Sequence, residues 1–174
     1  MITATATLHD GENQTFTIRD TVKPGDLGWV IGQHGALYAA EYGWNASFEV
    51  LVAEIATPIF AGHDPEREHC WFAELDGRLV GCIFLVRVDE RLAKLRMLIV
   101  DPEARGHGIG CALVTTCVDF ARQAGYETVT LWTQSILLAA RRLYAAAGFR
   151  LVASEPAHAF GHDLVSETWE LALR

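Results

Sequence analysis

No stretch of this chain approaches the roughly 18 consecutive apolar residues that a membrane-crossing helix needs, so no membrane partner is expected. The first fifteen residues carry neither a basic cluster nor an apolar block, which predicts no secretory signal. Cysteine is scarce. Cys70, Cys82, Cys111 and Cys117 form no CxxC pair and no framework of the kind that staples small secreted domains. Each lies in an apolar or periodic segment, where a thiol behaves as a small hydrophobe, and a reduced, cytoplasmic protein is the expectation. Basic residues are outnumbered, 14 Lys and Arg against 22 Asp and Glu, for a net charge of −8. Nucleic acid is therefore not expected as a partner, because phosphate binding rests on clustered Lys and Arg. An acidic surface attracts a cationic ligand only weakly. No repeat, low-complexity tract or linker divides the sequence, and 174 residues of 51% apolar content suffice for one domain, 1–174, with a sizeable core.

What is present reads as alternating elements. Residues 1–14 are polar with little periodicity and suit a loose tail or an edge strand. Thr15 to Arg19 alternates as a strand, and Pro24-Gly25-Asp26 breaks it. Ala36 to Tyr42 and Ser47 to Thr57 look helical around a Gly43-Trp44-Asn45 turn, while Gly28 to Gly35 is ambiguous between strand and turns. Cys70 to Leu75 and Leu79 to Val88 flank Asp76-Gly77, a two-residue hairpin turn suited to positive φ. A turn near Asp89-Glu90 leads into a strand over Ala93 to Val100. Gly108 to Ala124 then places Ile109, Leu113, Cys117, Phe120 and Ala124 on one helical stripe. A strand over Thr128 to Thr133, a helix over Ile136 to Ala146, and strands from Phe149 and over Glu167 to Leu173 complete the pattern. Antiparallel strands followed by strand–helix–strand–helix–strand imply a mixed α/β sheet.

The segment Leu98-Ile-Val-Asp-Pro-Glu-Ala-Arg-Gly-His-Gly-Ile-Gly110 carries the chemistry. A strand ends, Pro102 turns the chain, and a glycine-rich loop opens onto an amphipathic helix. The first turn of a helix has N–H groups without internal partners, and its dipole adds partial positive charge. Gly106, Gly108 and Gly110 remove side chains that would block an anion, and Arg105 adds a full charge, so a pyrophosphate site is predicted. His107 and Ile109 fall inside the same loop, with the His107 N–H or ring within reach of phosphate. A dinucleotide fingerprint fails, because Cys111 stands where a small residue is required and five residues separate Val100 from Gly106. A nucleotide-triphosphate loop fails for want of Gly-Lys-Ser/Thr.

Arg105, Gly108 and Gly110 match the R-x-x-G-x-G motif of the GNAT acetyltransferase superfamily, and Leu143-Tyr144-Ala-Ala-Ala-Gly148-Phe149 resembles its second motif. The likeness covers roughly residues 70–150, the span of one such core. The whole chain, from Gly25-Asp26-Leu27-Gly28 to Thr168-Trp169-Glu170, also resembles the acetyltransferase half of MarR-type regulator–acetyltransferase fusions, without their helix-turn-helix half. The resemblance implies a central mixed sheet of about seven strands flanked by helices and splayed between its fourth and fifth strands. It implies acetyl-coenzyme A as co-substrate, no metal, and transfer of acetyl to a primary amine of a small molecule or peptide. Backbone groups of Leu98, Ile99 and Val100 would hold the pantetheine arm and face the acetyl carbonyl, an oxyanion-hole arrangement. Tyr144 would be the catalytic acid, since a tyrosine near its ordinary pKa of about 10 stays protonated beside a leaving thiol of about 8.5.

The sequence departs from the pattern at Leu137, where many members carry an asparagine. The general base stays open among Glu41, Glu49, His34, Asp163 and a water chain. Lys94 and Arg96 occupy the strand where some relatives carry a glutamate. His63, Asp64, Glu66, Glu68 and His69 lack metal-ligand spacing and read as a solvated loop. Leu27 to Phe48, with Tyr42 and Trp44, would wall the acceptor. An unpaired edge strand would allow a homodimer. The alternative to an enzyme is an acyl-coenzyme A sensor that no longer catalyses.

Overall fold

The computed structural model describes residues 4–6 and 15–173. Its strands are β1 Ala4–Ala6, β2 Phe16–Arg19, β3 His69–Leu75, β4 Arg78–Arg87, β5 Leu92–Val100, β6 Thr128–Gln134, β7 Arg150–Ala159 and β8 His162–Ala172. The helices are α1 Asp26–Tyr42, α2 Ser47–Ala61, α3 Ile109–Gln123 and α4 Leu138–Ala146. One sheet contains every strand in the order β1-β2-β3-β4-β5-β6-β8-β7, and only the β5–β6 pair is parallel. Seven strands run from β2 onward, as expected, and β1 adds an edge. Two cores sandwich the sheet. Ile83, Leu95, Leu113, Val114 and Leu131 pack on one face beneath α3, and Val30, Val52, Phe72 and Phe84 pack on the other beneath α1 and α2.

The ambiguous glycine-bearing stretch 28–35 is the middle of α1. Its start is anchored by charge rather than propensity. Buried Asp26, in the favourable first turn, receives both Arg19 guanidinium nitrogens at 2.8 and 2.7 Å and the Lys23 N–H at 2.7 Å. Gly35 faces the exposed Glu49 side chain of α2, whose Oε2 lies 2.8 Å from where a Cβ would be. Gly43, with φ 69°, closes α1 in the left-handed conformation that favours glycine. Helix α2 continues past the predicted Thr57 to Ala61, because Ile59 extends its buried stripe through Pro58. Asp76 and Gly77 both have positive φ, 51° and 76°, as the hairpin reading required.

The C-terminal strands are longer than their sequence pattern suggested. Strands β7 and β8 form one hairpin turning at Phe160-Gly161, both with positive φ, so His158 and His162 belong to strands. Almost all of β7 is exposed on both faces, which erases the alternation that marks a half-buried strand.

Burial pushes the Cys70 thiol up to about 12 and raises Cys82 and Cys117 as well, so these three act as packing groups. Gly81 on β4 is held small by its neighbour, since a Cβ there would lie 2.9 Å from the Ile99 carbonyl oxygen and 3.3 Å from Leu113 Cδ1. We expect Gly81→Val to lower the unfolding free energy by about 1–3 kcal/mol in urea titration. Gly28→Ala, on an open helical position, should raise it by about 0.5–1 kcal/mol.

Candidate active site

The site exists because β5 leaves β6. Leu92 to Leu95 pair in register with Thr128 to Leu131, and no pairing follows. On its other edge β6 stays paired with β8 as far as Gln134. The cause lies in β5, where Met97 adopts φ 56° and the β4–β5 register slips between Cys82 and Phe84, an inserted-residue bulge. The Cys82 thiol donates to the Met97 carbonyl at 3.1 Å and holds the bulge. Beyond it, the β6-facing main-chain groups of Leu98, Ile99 and Val100 have lost their strand partner. They line a cavity of about 470 Å³.

The far wall of this cavity is the glycine-rich loop. Asp101 caps the short turn Pro102–Ala104, its Oδ1 accepting from the Glu103 N–H at 2.9 Å. Gly106 and Gly108 then take φ of 85° and 74°, and Gly108 delivers the chain into α3. Arg105, Gly106, Gly108, Ile109 and Gly110 all line the cavity. The first-turn amides of α3 precede its first internal hydrogen bond, from Ala112 to Gly108, and add donors and a positive dipole end. The glycines differ in purpose. Gly106 and Gly108 answer backbone geometry. The missing Cβ of Gly110 is filled by Leu143 Cδ1 of α4, 2.8 Å from where that Cβ would be. His107 stands apart from the cavity, its Nδ1 3.2 Å from the Ala104 carbonyl. These orphaned amides and the open glycine cradle suit a pyrophosphate-bearing ligand.

One group at this cavity had no assigned role in the sequence, and a second stands in a different role. Arg142 on α4 lines it and has no ion pair among the described residues. Its only sequence signal was adjacency to Arg141, whose guanidinium instead bonds Glu167 at 3.0 Å. Glu41, weighed as a base, lines the cavity 2.7 Å from Arg105 and acts as that arginine's counter-charge.

A smaller chamber of about 90 Å³ opens on the other side of the splay, between β5, β6, α1 and α2. Tyr38, Leu98, Leu137 and Ala140 line both spaces and mark their junction. Leu137, where many relatives carry asparagine, is buried there and offers only apolar contact. Tyr144 lines the chamber and is 6% exposed, with its ring 5.9 Å from that of Phe149. Burial, with Tyr38 and Cys117 nearby, raises its pKa strongly, so the hydroxyl keeps its proton throughout the ordinary pH range. Trp44 belongs to the chamber, whereas Tyr42 faces the larger cavity. Tyr38 was missed. It falls midway on the His34, Tyr38, Tyr42 i,i+4 stripe and packs at a tilt against both Trp44 and Phe48, at 4.9 and 4.6 Å.

Of the other candidate bases, Asp163 lies on the β7–β8 hairpin, 2.7 Å from His158 and outside both spaces, and Glu49 lines neither. His34 lines the chamber. Its Nδ1 lies 2.7 Å from the Val30 carbonyl, which only accepts, so that nitrogen carries the proton. Burial lowers its pKa to about 4, leaving a neutral ring.

The sequence model of the acetyltransferase (GNAT) family matches residues 34–149. The chain belongs to the GNAT acetyltransferase family. It is 34% identical over 119 residues to human N-acetyltransferase 8, covering 65% of this chain and 52% of that protein. It is 37% identical over 105 residues to the mycothiol acetyltransferase of Sanguibacter keddieii, covering 57% of this chain and 32% of that one. The matched region thus spans about half or less of these relatives' length. In fold it is similar to yncA of Salmonella typhimurium, solved with its cofactor acetyl-coenzyme A, at a TM-score of 0.71 and 22% identity, covering 91% of this chain and 94% of that one. No helix among the described residues is long and apolar enough to cross a membrane, and no group of His, Cys, Asp and Glu among them is arranged to hold a metal. The His63–His69 loop uses its acids locally, Glu68 accepting from the Asp64 and Arg87 N–H groups.

His34 gives the site a pH signature. Because its folded pKa lies below the unfolded value of 6.5, its contribution is complete above pH 6.5 and drains as pH falls toward 4. Between pH 7 and pH 4.5 the native protein should lose about 2–3 kcal/mol more than a His34→Asn variant, which keeps a donor for Val30. Urea unfolding of both proteins at the two pH values measures the difference.

Proposed function

We propose that this domain transfers acetyl from acetyl-coenzyme A to an amine. The observation that carries the reading is the splay itself, which sets unpaired β5 backbone between a glycine-rich anion cradle and a separate buried chamber holding Tyr144. Acetyl-coenzyme A supplies a thioester whose carbonyl a neutral amine can attack. Arg105, Arg142 and the α3 amides hold the pyrophosphate, and the loop's glycines let it approach. The backbone of Leu98, Ile99 and Val100 binds the pantetheine arm as an added strand would, and one of its N–H groups faces the oxygen on which charge develops. Leu137 replaces the usual polar contact with an apolar one, so the arm relies on main chain. As the carbon–nitrogen bond forms and the carbon–sulfur bond breaks, the Tyr144 hydroxyl donates its proton to the departing sulfur, and the proton released by the acylated nitrogen returns to the Tyr144 oxygen.

No carboxylate lines the chamber, and His34 is too weak a base to take a proton from an ammonium near neutral pH. The same observation favours a second reading, a sensor that binds acyl-coenzyme A without turnover. In the catalytic reading the chamber admits the neutral amine, because a desolvated site lined by the Arg96 cation disfavours a second positive charge. The relatives' names support acetyl transfer, and the three buried, unpaired thiols support a reduced, cytoplasmic setting. The MarR-type likeness rests on two sequence segments and carries none of this reading.

Gly108→Asp should cut acetyl-coenzyme A affinity by a hundredfold or more, since a carboxylate would face the pyrophosphate at the α3 N-terminus. Calorimetric titration beside circular dichroism checks it, and retained affinity in a folded variant sinks the cradle assignment. Tyr144→Phe should lower kcat by about tenfold to a thousandfold with little change in cofactor affinity. Steady-state kinetics with free-thiol detection decides this. Unchanged turnover, with chemistry rate-limiting, removes Tyr144 from the mechanism, and absence of turnover in the native protein with any amine favours the sensor.

A further inference from the structure

The acceptor chamber carries a charge pattern opposite to that of the molecule. Against a net charge of −8, its walls include no Asp or Glu, and its one ionised group is Arg96 of β5. Arg96 is half-buried, and its Nε is sealed from solvent with no hydrogen-bond partner. Two residues earlier on the same strand face, half-buried Lys94 adds a second cation. Among the described residues neither has an ion-pair partner. Beyond β6, on β8, Glu170 lies in the register row of Lys94 one strand removed, and Glu167 is already bonded by Arg141 Nε at 3.0 Å and Trp169 Nε1 at 2.9 Å. Burial depresses the pKa of both Lys94 and Arg96.

The other walls combine apolar groups, among them Phe48, Val52, Ile55 and Tyr38, with the polar Thr133 and Gln134. A half-buried charge without a partner costs folding free energy and is uncommon in native proteins. A ligand with a carboxylate and an apolar body would give the Arg96 guanidinium its missing partner. A polyamine or a lysine side chain would bring another cation to a wall that has no counter-charge for it.

We infer that the acceptor is a small amine that also carries a carboxylate, with the unpaired Arg96 guanidinium holding the carboxylate and the aromatic wall holding the rest. This deepens the acetyl-transfer reading and rests on it. Arg96 thereby becomes a specificity residue, binding the far end of the acceptor while the amine faces the junction at Leu98.

The experiment compares leucine, leucinamide and 3-methylbutylamine, matched in apolar body and differing in the carboxylate. Binding is read by tryptophan fluorescence, with and without coenzyme A, and turnover by thiol release from acetyl-coenzyme A. Leucine should bind at least tenfold more tightly than the other two. Arg96→Gln should erase that advantage while leaving the melting temperature close to native. Arg96→Lys should keep part of it. Equal affinity for the three ligands in the native protein, or undiminished leucine binding in folded Arg96→Gln, overturns the inference. A separate acetyl-coenzyme A titration isolates the underlying reading. If the cofactor fails to bind, acetyl transfer falls, and the comparison on cofactor-free protein still decides whether the chamber takes a carboxylate.

Discussion

Everything functional in this protein depends on a ladder that stops. Parallel strands β5 and β6 stay paired over four residues each and then separate, although both continue and β6 keeps its other neighbour. Buried backbone groups without partners are costly, and a fold tolerates them only where something else satisfies them. The bulge at Met97 imposes the separation, and the Cys82 thiol steadies the strained carbonyl at 3.1 Å. The residues released by the break, Leu98 to Val100, line the large cavity, and Leu98 lines the small chamber as well. Gly81, with no room for a side chain against Ile99, keeps β4 close enough to hold β5 after it has lost β6.

Charge is distributed around this opening with a clear division of labour. At the large cavity, cations are near the surface, and Arg105 already has a counter-ion in Glu41, an exposed pair of the kind that contributes about 1 kcal/mol or less. At the small chamber the one cationic wall residue, Arg96, is half-buried and has no ion-pair partner among the described residues. Between them sits an apolar collar of Leu98, Leu137 and Ala140, with Tyr38 at the same junction and Tyr144 in the chamber wall. Burial in that setting raises the Tyr144 pKa and keeps its hydroxyl protonated.

Much of this was legible in the chain. The Asp76-Gly77 turn, the α3 stripe and the Arg105–Gly110 loop are local features, and each follows from neighbours in sequence. The stretch 28–35 was not legible, because three glycines argue against a helix that a buried Asp26–Arg19 pair anchors. The length of β7 was hidden for the opposite reason: both of its faces are exposed, so no hydrophobic period marks it.

What the sequence determined by itself was the order of most elements, the glycine-rich turn into α3 and the helix that carries Tyr144, because glycine conformation, helix periodicity and short motifs act over a few residues. What only the tertiary structure decided was which side chains share a space. Tyr38 and Arg142 entered the site, while His107 and Asp163 left its walls. Gly110 packs against Leu143, and Arg96 and Trp44, 52 positions apart in the sequence, came to line one chamber. Convergence of that kind is set by the crossing of α1 and α2 over a splayed sheet, and no local pattern encodes which side chains will meet there.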